Sequence, residues 1–267
     1  MMVDAADLCV GVATDVGRVR RANEDTARVA GTVFVVADGM GGHAAGEVAS
    51  RIAAEAVVEL ADRAVLNAPD VVEQLAEANR RILDSAARHP EQTGMGTTVA
   101  GLALVRGNGS QHWVVFNIGD SRVYRLLDGR LAQLTVDHSE VQELVDAGVI
   151  TPQQAMTHPA RNIITRSLGR DPMGSVDTWV FPPYPGECFV ICSDGLSNEL
   201  TTQQIESVLL ESDDAAAAAT ELVRRGVAAG GRDNITVVVV QVGPLESDSD
   251  VHRPRGEGPP DLGRERR

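Results

Sequence analysis

The chain has 267 residues, a formal net charge of −14 and 43% hydrophobic residues, enough for one large domain or two small ones with a substantial core. All 24 basic residues are arginine, and the absence of lysine excludes a P-loop lysine, a kinase-type phosphate-pairing lysine and Schiff-base or pyridoxal-phosphate chemistry. The acidic balance argues against nucleic acid as a partner, and no apolar run approaches the ~18 residues a membrane helix needs.

The first basic residue is Arg18, which leaves the start of the chain without the charged region of a secretory signal. A soluble, cytoplasmic protein is expected. Residues 1–243 read as one domain, its ordered body beginning near Leu8. In chain order, residues 32–37 (TVFVVA) read as a strand, and 46–60 and 71–87 as helices with apolar positions recurring at three and four. Residues 97–104 and 113–118 are strands, and 123–126 with 131–134 form a hairpin around Asp128-Gly129. A strand at 188–192 is followed by a helix at 213–226, which opens on acids and closes on Arg224 and Arg225, and then by a strand at 235–242. With aromatics at only 3%, Val, Leu, Ile and Ala must fill the core. Cys9, Cys188 and Cys192 lie in apolar stretches without zinc-finger spacing, which predicts buried reduced thiols, the last two on one face of a strand. Consecutive helices and consecutive hairpin strands predict mixed α and antiparallel β rather than βαβ alternation. Residues 244–267, rich in Pro, Gly and charge, read as a disordered tail, dispensable or regulatory.

The informative pattern is where certain acids stand. Asp38 follows TVFVVA and precedes Gly-Met-Gly-Gly; Asp120 follows WVVFNI-Gly; Asp194 follows CFVICS and precedes Gly; Asp233 stands just before Asn234 and ITVVVV. Each sits at a strand end beside Gly or Asn, where a rigid element fixes the side chain. One such acid is a turn or cap residue; four, with Asn23-Glu24-Asp25 near the start, suggest convergence. Converging carboxylates need a cation, and an oxygen-only donor set suits Mg²⁺ or Mn²⁺ rather than zinc. Two ions ~3.5–4 Å apart would acidify a shared water for phosphate-ester hydrolysis, with an arginine to clamp the phosphate. Arg18, Arg20 and Arg21 all lie just upstream of Glu24. No Cys-x₅-Arg or G-x-S-x-G is present, and the sole D-x-D (Asp248-Ser249-Asp250) lies in the tail, so covalent catalysis is disfavoured. Ser121 and Ser193, beside the acids, read as loop hydrogen bonders.

Six segments occur in order: residues 14–25 (TDVGRVRRANED), 36–47 (VADGMGGHAAGE), 96–98 (GTT), 117–122 (NIGDSR), 192–196 (CSDGL) and 231–236 (GRDNIT). Together they resemble the bacterial metal-dependent protein phosphatases of the protein phosphatase 2C type. The resemblance implies an α+β fold, a four-layer α–β–β–α sandwich with two central, mostly antiparallel sheets and a dinuclear Mn²⁺ or Mg²⁺ centre at one edge. By motif position, Asp38 matches the carboxylate bridging both ions, and Asp194 and Asp233 complete the first ion's shell. Glu24 and the Gly39 carbonyl match the second ion's ligands, Asp25 orients bound water, and Asp120 resembles the ligand of a weaker third ion. Arg20 matches the phosphate-binding arginine, while Arg122 is expected to pair with nearby acids. The pattern departs from many eukaryotic members at Met40, where those have a histidine that can serve as the leaving-group acid. Metal-bound water or His43 is left for that role; His89, His112, His138, His158 and His252 read as structural or exposed.

Residues 137–168 match the family's flap beside the metal site, with a merely packed helical hairpin as the alternative. The activity implied is removal of phosphate from phosphoserine and phosphothreonine in proteins, by a hydroxide bridging two ions and without a phosphoenzyme. Partners would be phosphorylated proteins, including a Ser/Thr kinase, with no nucleic acid and no membrane. A non-catalytic phosphoprotein-binding scaffold and a small-molecule metallophosphatase are the alternatives. Without an attached sensor or anchor in the sequence, control would come from metal supply or the tail.

Overall fold

The computed structural model describes residues 3, 7–41, 45–63, 66–107 and 110–243. The predicted tail and His43 lie outside the described residues. Two antiparallel sheets stack face to face, as expected. The first has the order β1 (Leu8–Asp15), β11 (Ile235–Val242), β10 (Cys188–Cys192), β7 (Arg122–Leu127), β8 (Arg130–Gln133). The second runs β2 (Asp25–Ala30), β3 (Val33–Met40), β5 (Val99–Gly107), β6 (Ser110–Ile118), β9 (Asp177–Phe181), with the short β4 (Gly96–Thr97) pairing the end of β3.

The central strands read as unbroken apolar runs because both their faces are covered. In β3, Val33, Val35 and Ala37 face the helix layer of α1 (Ala45–Val58) and α2 (Ala68–Arg88), while Phe34 and Val36 point between the sheets. In β11, Val237 and Val239 meet α6 (Thr202–Glu211) and α7 (Ala215–Ala229), while Val238 and Val240 join the middle core. Period-2 alternation thus feeds three apolar layers from two sheets, which makes the molecule α–β–β–α. Helix starts are fixed locally. Asp214 accepts from Ala217 N–H at 2.7 Å, and Thr201 and Gln204 cap α6 reciprocally.

Several expectations need correcting. The strand predicted over 97–104 is interrupted at Thr98, whose N–H and hydroxyl bond the backbone of Asp38 instead of continuing a ladder. Asp38 lies inside β3, which runs on to Met40, rather than at the strand's end. Arg224 and Arg225 do not close α7; they pair with Glu221 a turn earlier, and Arg225 also reaches Glu211. Cys9, on the edge strand β1, is exposed rather than buried, whereas Cys188 and Cys192 are buried on the helix side of β10 as predicted. The segments forming β1, β2, β9 and α6 lack runs strong enough to have been singled out. No described helix is long and apolar enough to cross a membrane.

Between β8 and β9 the chain makes an excursion carrying α3 (Glu140–Asp146) and α4 (Pro152–Ala155). It is pinned at its base by bridges between Ser139 and Ile164 and between Thr97 and Leu168.

Candidate metal centre

The acids singled out by sequence gather at one end of the sandwich, and strand register brings them there. In the β2–β3 ladder Asp25 lies directly opposite Asp38. Asp194 opens the short helix α5 (Asp194–Ser197) at the end of β10, and Asp233 precedes β11, the neighbouring strand. Asp120 follows β6 from the other sheet.

The backbone around Asp38 is held from both sides. Its N–H donates to Thr98 Oγ1 at 3.1 Å, and its carbonyl accepts from Thr98 N–H and Thr97 Oγ1, both at 2.9 Å. Thr98 Oγ1 in turn lies 2.7 Å from Ser121 Oγ. Gly39 N–H donates to the Glu24 carbonyl at 3.2 Å. The start of α1 is pressed so close that a Cβ on Gly39 would lie 2.2 Å from the Gly46 carbonyl oxygen. Only glycine allows this approach, which explains a Gly at each position of the D-G…G-E pattern. Asp25 is anchored by Ser193, whose hydroxyl donates to Oδ2 at 2.7 Å and accepts from Thr236 N–H at 3.0 Å. Ser121 and Ser193 are the loop hydrogen bonders expected of them.

Sequence reasoning missed Asn234. Its Oδ1 accepts from Glu24 N–H at 2.9 Å, and its Nδ2 donates to the carbonyls of Val16 (3.0 Å) and Ala22 (2.9 Å). This single amide therefore fastens the loop bearing Arg20 and Glu24 to the start of β11. The adjacency D-N was visible; its partners, more than 200 residues away, were not.

The electrostatics of the cluster are unfavourable as they stand. Burial pushes Asp38 well above the ordinary carboxylate range, and the charges of Asp25, Asp194, Asp120 and Asp233 push it further. Asp25 is raised to about 7, by burial and then by Asp194 and Asp233, against the bonds from Ser193 and Thr236. Asp194 is raised to about 6, by burial and then Asp233, against its bonds with Asp38 and Asn198. Asp120 goes well up through burial, Asp194 and Asp137. Glu24 rises through burial, with Arg20 opposing. Asp25 Oδ1 and Asp120 Oδ1 are buried without a hydrogen-bond partner among the described residues. Unpaired buried oxygens on mutually repelling carboxylates are what a hard divalent cation relieves, so the donor set fits Mn²⁺ or Mg²⁺. Among the described residues no three acidic side chains already close on one point as a finished cage.

Arg20 Nη2 lies 2.7 Å from Asp233 Oδ2, and the two side chains are 52% and 31% exposed. Together with Asp194, Arg161 and Arg232 they line a cavity of about 440 Å³. Of the three arginines upstream of Glu24, Arg20 lines this cavity, whereas Arg18 lines a separate one between β1 and α7. Arg122 pairs with Asp137 at 2.6 Å, as expected of it.

A family model described as Protein phosphatase 2C matches residues 22–229. The chain belongs to the protein phosphatase 2C family. Its relatives include the serine/threonine phosphatase stp of Listeria monocytogenes, 36% identical over 239 residues, covering 85% of this chain and 93% of that protein. The serine/threonine protein phosphatase PstP of Mycobacterium tuberculosis is 38% identical over 235 residues, 86% of this chain and 44% of PstP. The crystal structure of the PstP catalytic domain in complex with two manganese ions superposes with a TM-score of 0.81 at 34% identity, covering 91% of this chain and all of that one. A Mycobacterium smegmatis PPM Ser-Thr phosphatase in complex with cacodylate gives 0.79 at 36% identity, covering 88% and 98%. The α–β–β–α architecture of this chain is thus that of the protein phosphatase 2C family, and its acidic cluster lies on the motifs by which the sequence resembles it.

Proposed function

We propose that this chain is a metal-dependent phosphatase acting on phosphoserine and phosphothreonine in proteins, a Ser/Thr protein kinase among its partners. The observation that carries this reading is the convergence of Asp25, Asp38, Asp120 and Asp194, two of them with unpartnered buried oxygens, beside a cavity lined by Arg20. In this assignment Asp38 is shared by two ions, Asp194 and Asp233 complete one shell, and Glu24 with the Gly39 carbonyl completes the other. Asp120 serves a weaker third ion. When bound, the ions would supply a hydroxide for direct hydrolysis without a phosphoenzyme and would neutralise charge on the phosphate oxygens.

The chain's own groups do the rest. Arg20 offers its guanidinium to the phosphate; its one bond to Asp233 leaves the other N–H groups without partners among the described residues. Asp25, fixed by Ser193 and by its own N–H on Asn23 Oδ1 at 3.1 Å, keeps a buried Oδ1, unpartnered among the described residues, as the acceptor that orients water. Residues 137–168 act as a flap over this end. Met40 can donate no proton, and water is the first candidate for the leaving-group acid, with His43 as the alternative.

The test is hydrolysis of a phosphothreonine peptide with Mn²⁺, with excess chelator, and by Asp194→Asn in Mn²⁺. Turnover abolished by the chelator and by the substitution is the expected result. A folded, Mn²⁺-binding protein inactive on phosphopeptides would turn the reading to a binding scaffold, and much faster turnover of free phosphothreonine than of the peptide would turn it to a small-molecule phosphatase.

A further inference from the structure

We propose, on the phosphatase reading above, that His138 is a positioning residue that ties the 137–168 flap to the turn presenting Asp120. The chain turns sharply after β6. Gly119 has φ +117°, and a Cβ there would lie 2.5 Å from Thr98 Cβ. The β5–β6 ladder ends at Ile118, so the Gly119 N–H needs another acceptor in a buried place. His138 Nδ1 supplies it at 3.0 Å, and the His138 N–H returns a bond to the Gly119 carbonyl at 2.9 Å. One residue thus grips the peptide groups just before Asp120 with both ring and backbone.

The ring's other side faces the flap. A nitrogen that accepts from an amide carries no proton, so the imidazole is the neutral Nε2–H tautomer. Nε2 lies 3.1 Å from Asp177 Oδ2 and 3.2 Å from Arg166 Nη1. Of the two, only the carboxylate can accept its proton; Arg166 Nη1 donates to Asp177 Oδ1 at 3.2 Å. The His138 carbonyl accepts from Thr165 N–H at 2.8 Å. Asp177 itself stands opposite Asn117 in the β6–β9 ladder, and Asn117 Nδ2 donates to the carbonyls of Gly119 and Val136. His138 is 5% exposed. It acts through the Asp120 turn on one side and the returning limb of the flap on the other.

Two substitutions separate these sides. In His138→Asn the amide oxygen takes the place of Nδ1 and keeps an acceptor for Gly119, but nothing reaches Asp177. In His138→Gln the terminal amide reaches Asp177, but Gly119 N–H is left unpaired. Three readouts apply to each: calorimetric Mn²⁺ binding, hydrogen–deuterium exchange over 117–122 and 139–166, and kinetics on a phosphothreonine peptide and an aryl phosphate. His138→Gln is expected to weaken the loosest Mn²⁺ event about tenfold and to raise exchange over 117–122. His138→Asn is expected to hold Mn²⁺ binding within about twofold, to raise exchange over 139–166 and to raise KM for the peptide about fivefold, with the aryl phosphate spared. Asp177→Asn should match His138→Asn and serves where a His138 variant does not fold. Asn and Gln variants that shift the same readouts to the same extent overturn the proposal, as does Asp177→Asn with unchanged exchange over 139–166. A wild type that binds Mn²⁺ yet hydrolyses no phosphopeptide overturns the phosphatase reading instead, and the exchange and binding data still decide the role of His138.

Discussion

Strand β10 runs between two acids, Glu187 just before it and Asp194 just after it, about 20 Å apart. Glu187 is completely buried and fully satisfied. Trp113 Nε1 donates at 2.7 Å, Tyr184 N–H at 2.8 Å, and Arg125 through Nη2 at 2.6 Å and Nε at 2.7 Å, with the guanidinium lying over the Phe181 ring. Asp194 is only partly buried, yet its surroundings are Asp38, Asp233, Asp25 and Asp120, and its neutral donor is Asn198 at 3.0 Å. One end of the strand is a finished ion pair that Trp113 ties to the other sheet; the other is a set of carboxylates that raise one another. The burial of an acid therefore says little by itself. What distinguishes structure from site is whether the chain supplies the partner.

The largest expected effects would break that contrast directly. Asp194→Asn should lower Mn²⁺-dependent turnover by about 10²–10³ while leaving the metal-free melting temperature unchanged or higher, because a repulsive charge is removed. Glu187→Ala should do the reverse, losing about 3 kcal/mol or more in denaturant unfolding with Mn²⁺ binding intact. Equal losses of stability from both would erase the distinction.

Asn234→Ala comes next. Three bonds to the Val16–Glu24 loop disappear, so KM for phosphopeptide should rise about tenfold, with about 2 kcal/mol lost in stability. An unchanged KM would show that the loop is held by something else. Acid–base behaviour sharpens the comparison further. Asp25 at about 7 and Asp194 at about 6 stand above their ordinary value near 3.8, so the metal-free native state binds more protons than the unfolded chain across that interval. Its melting temperature should therefore fall as pH rises from about 4 to 7, and saturating Mn²⁺ should flatten the slope. A metal-free protein that gains stability over this range would contradict the picture of a repulsive cluster.

The smallest effect concerns the thiols. Cys9 should react quickly with a maleimide in the native protein, and Cys9→Ser should change stability by less than about 0.5 kcal/mol. Cys188 and Cys192, both pushed up to about 12 by burial, should stay unreactive until unfolding. Mass spectrometry of labelled peptides reads this out.

Much of the site was legible before any coordinates, for a local reason. An acid next to an apolar run and beside Gly or Asn is a local pattern, so Asp38, Asp120, Asp194 and Asp233 stood out, and the order of motifs added Glu24, Asp25, Gly39 and Arg20. What stayed hidden depends on partners distant in sequence. Thr98 is an ordinary strand residue until its hydroxyl is seen under Asp38, and His138 looks like an isolated histidine until Gly119 and Asp177 arrive on its two nitrogens. Cys9 lies in an apolar stretch that predicts burial, and the fold instead leaves it exposed on the edge strand β1.

The sequence by itself determined the class of fold and the chemistry of the donor set. Unbroken Val-rich runs must be covered on both faces, and oxygen ligands without His or Cys select hard cations whatever the tertiary arrangement. Tertiary structure alone decided which acids are satisfied and which are not. That depends on strand register and sheet stacking, which place Arg125 and Trp113 against Glu187 and gather Asp25, Asp194, Asp120 and Asp233 around Asp38. Solvent removal then amplifies the difference, because a charge in a low-dielectric interior is stabilised only by the groups that surround it in space.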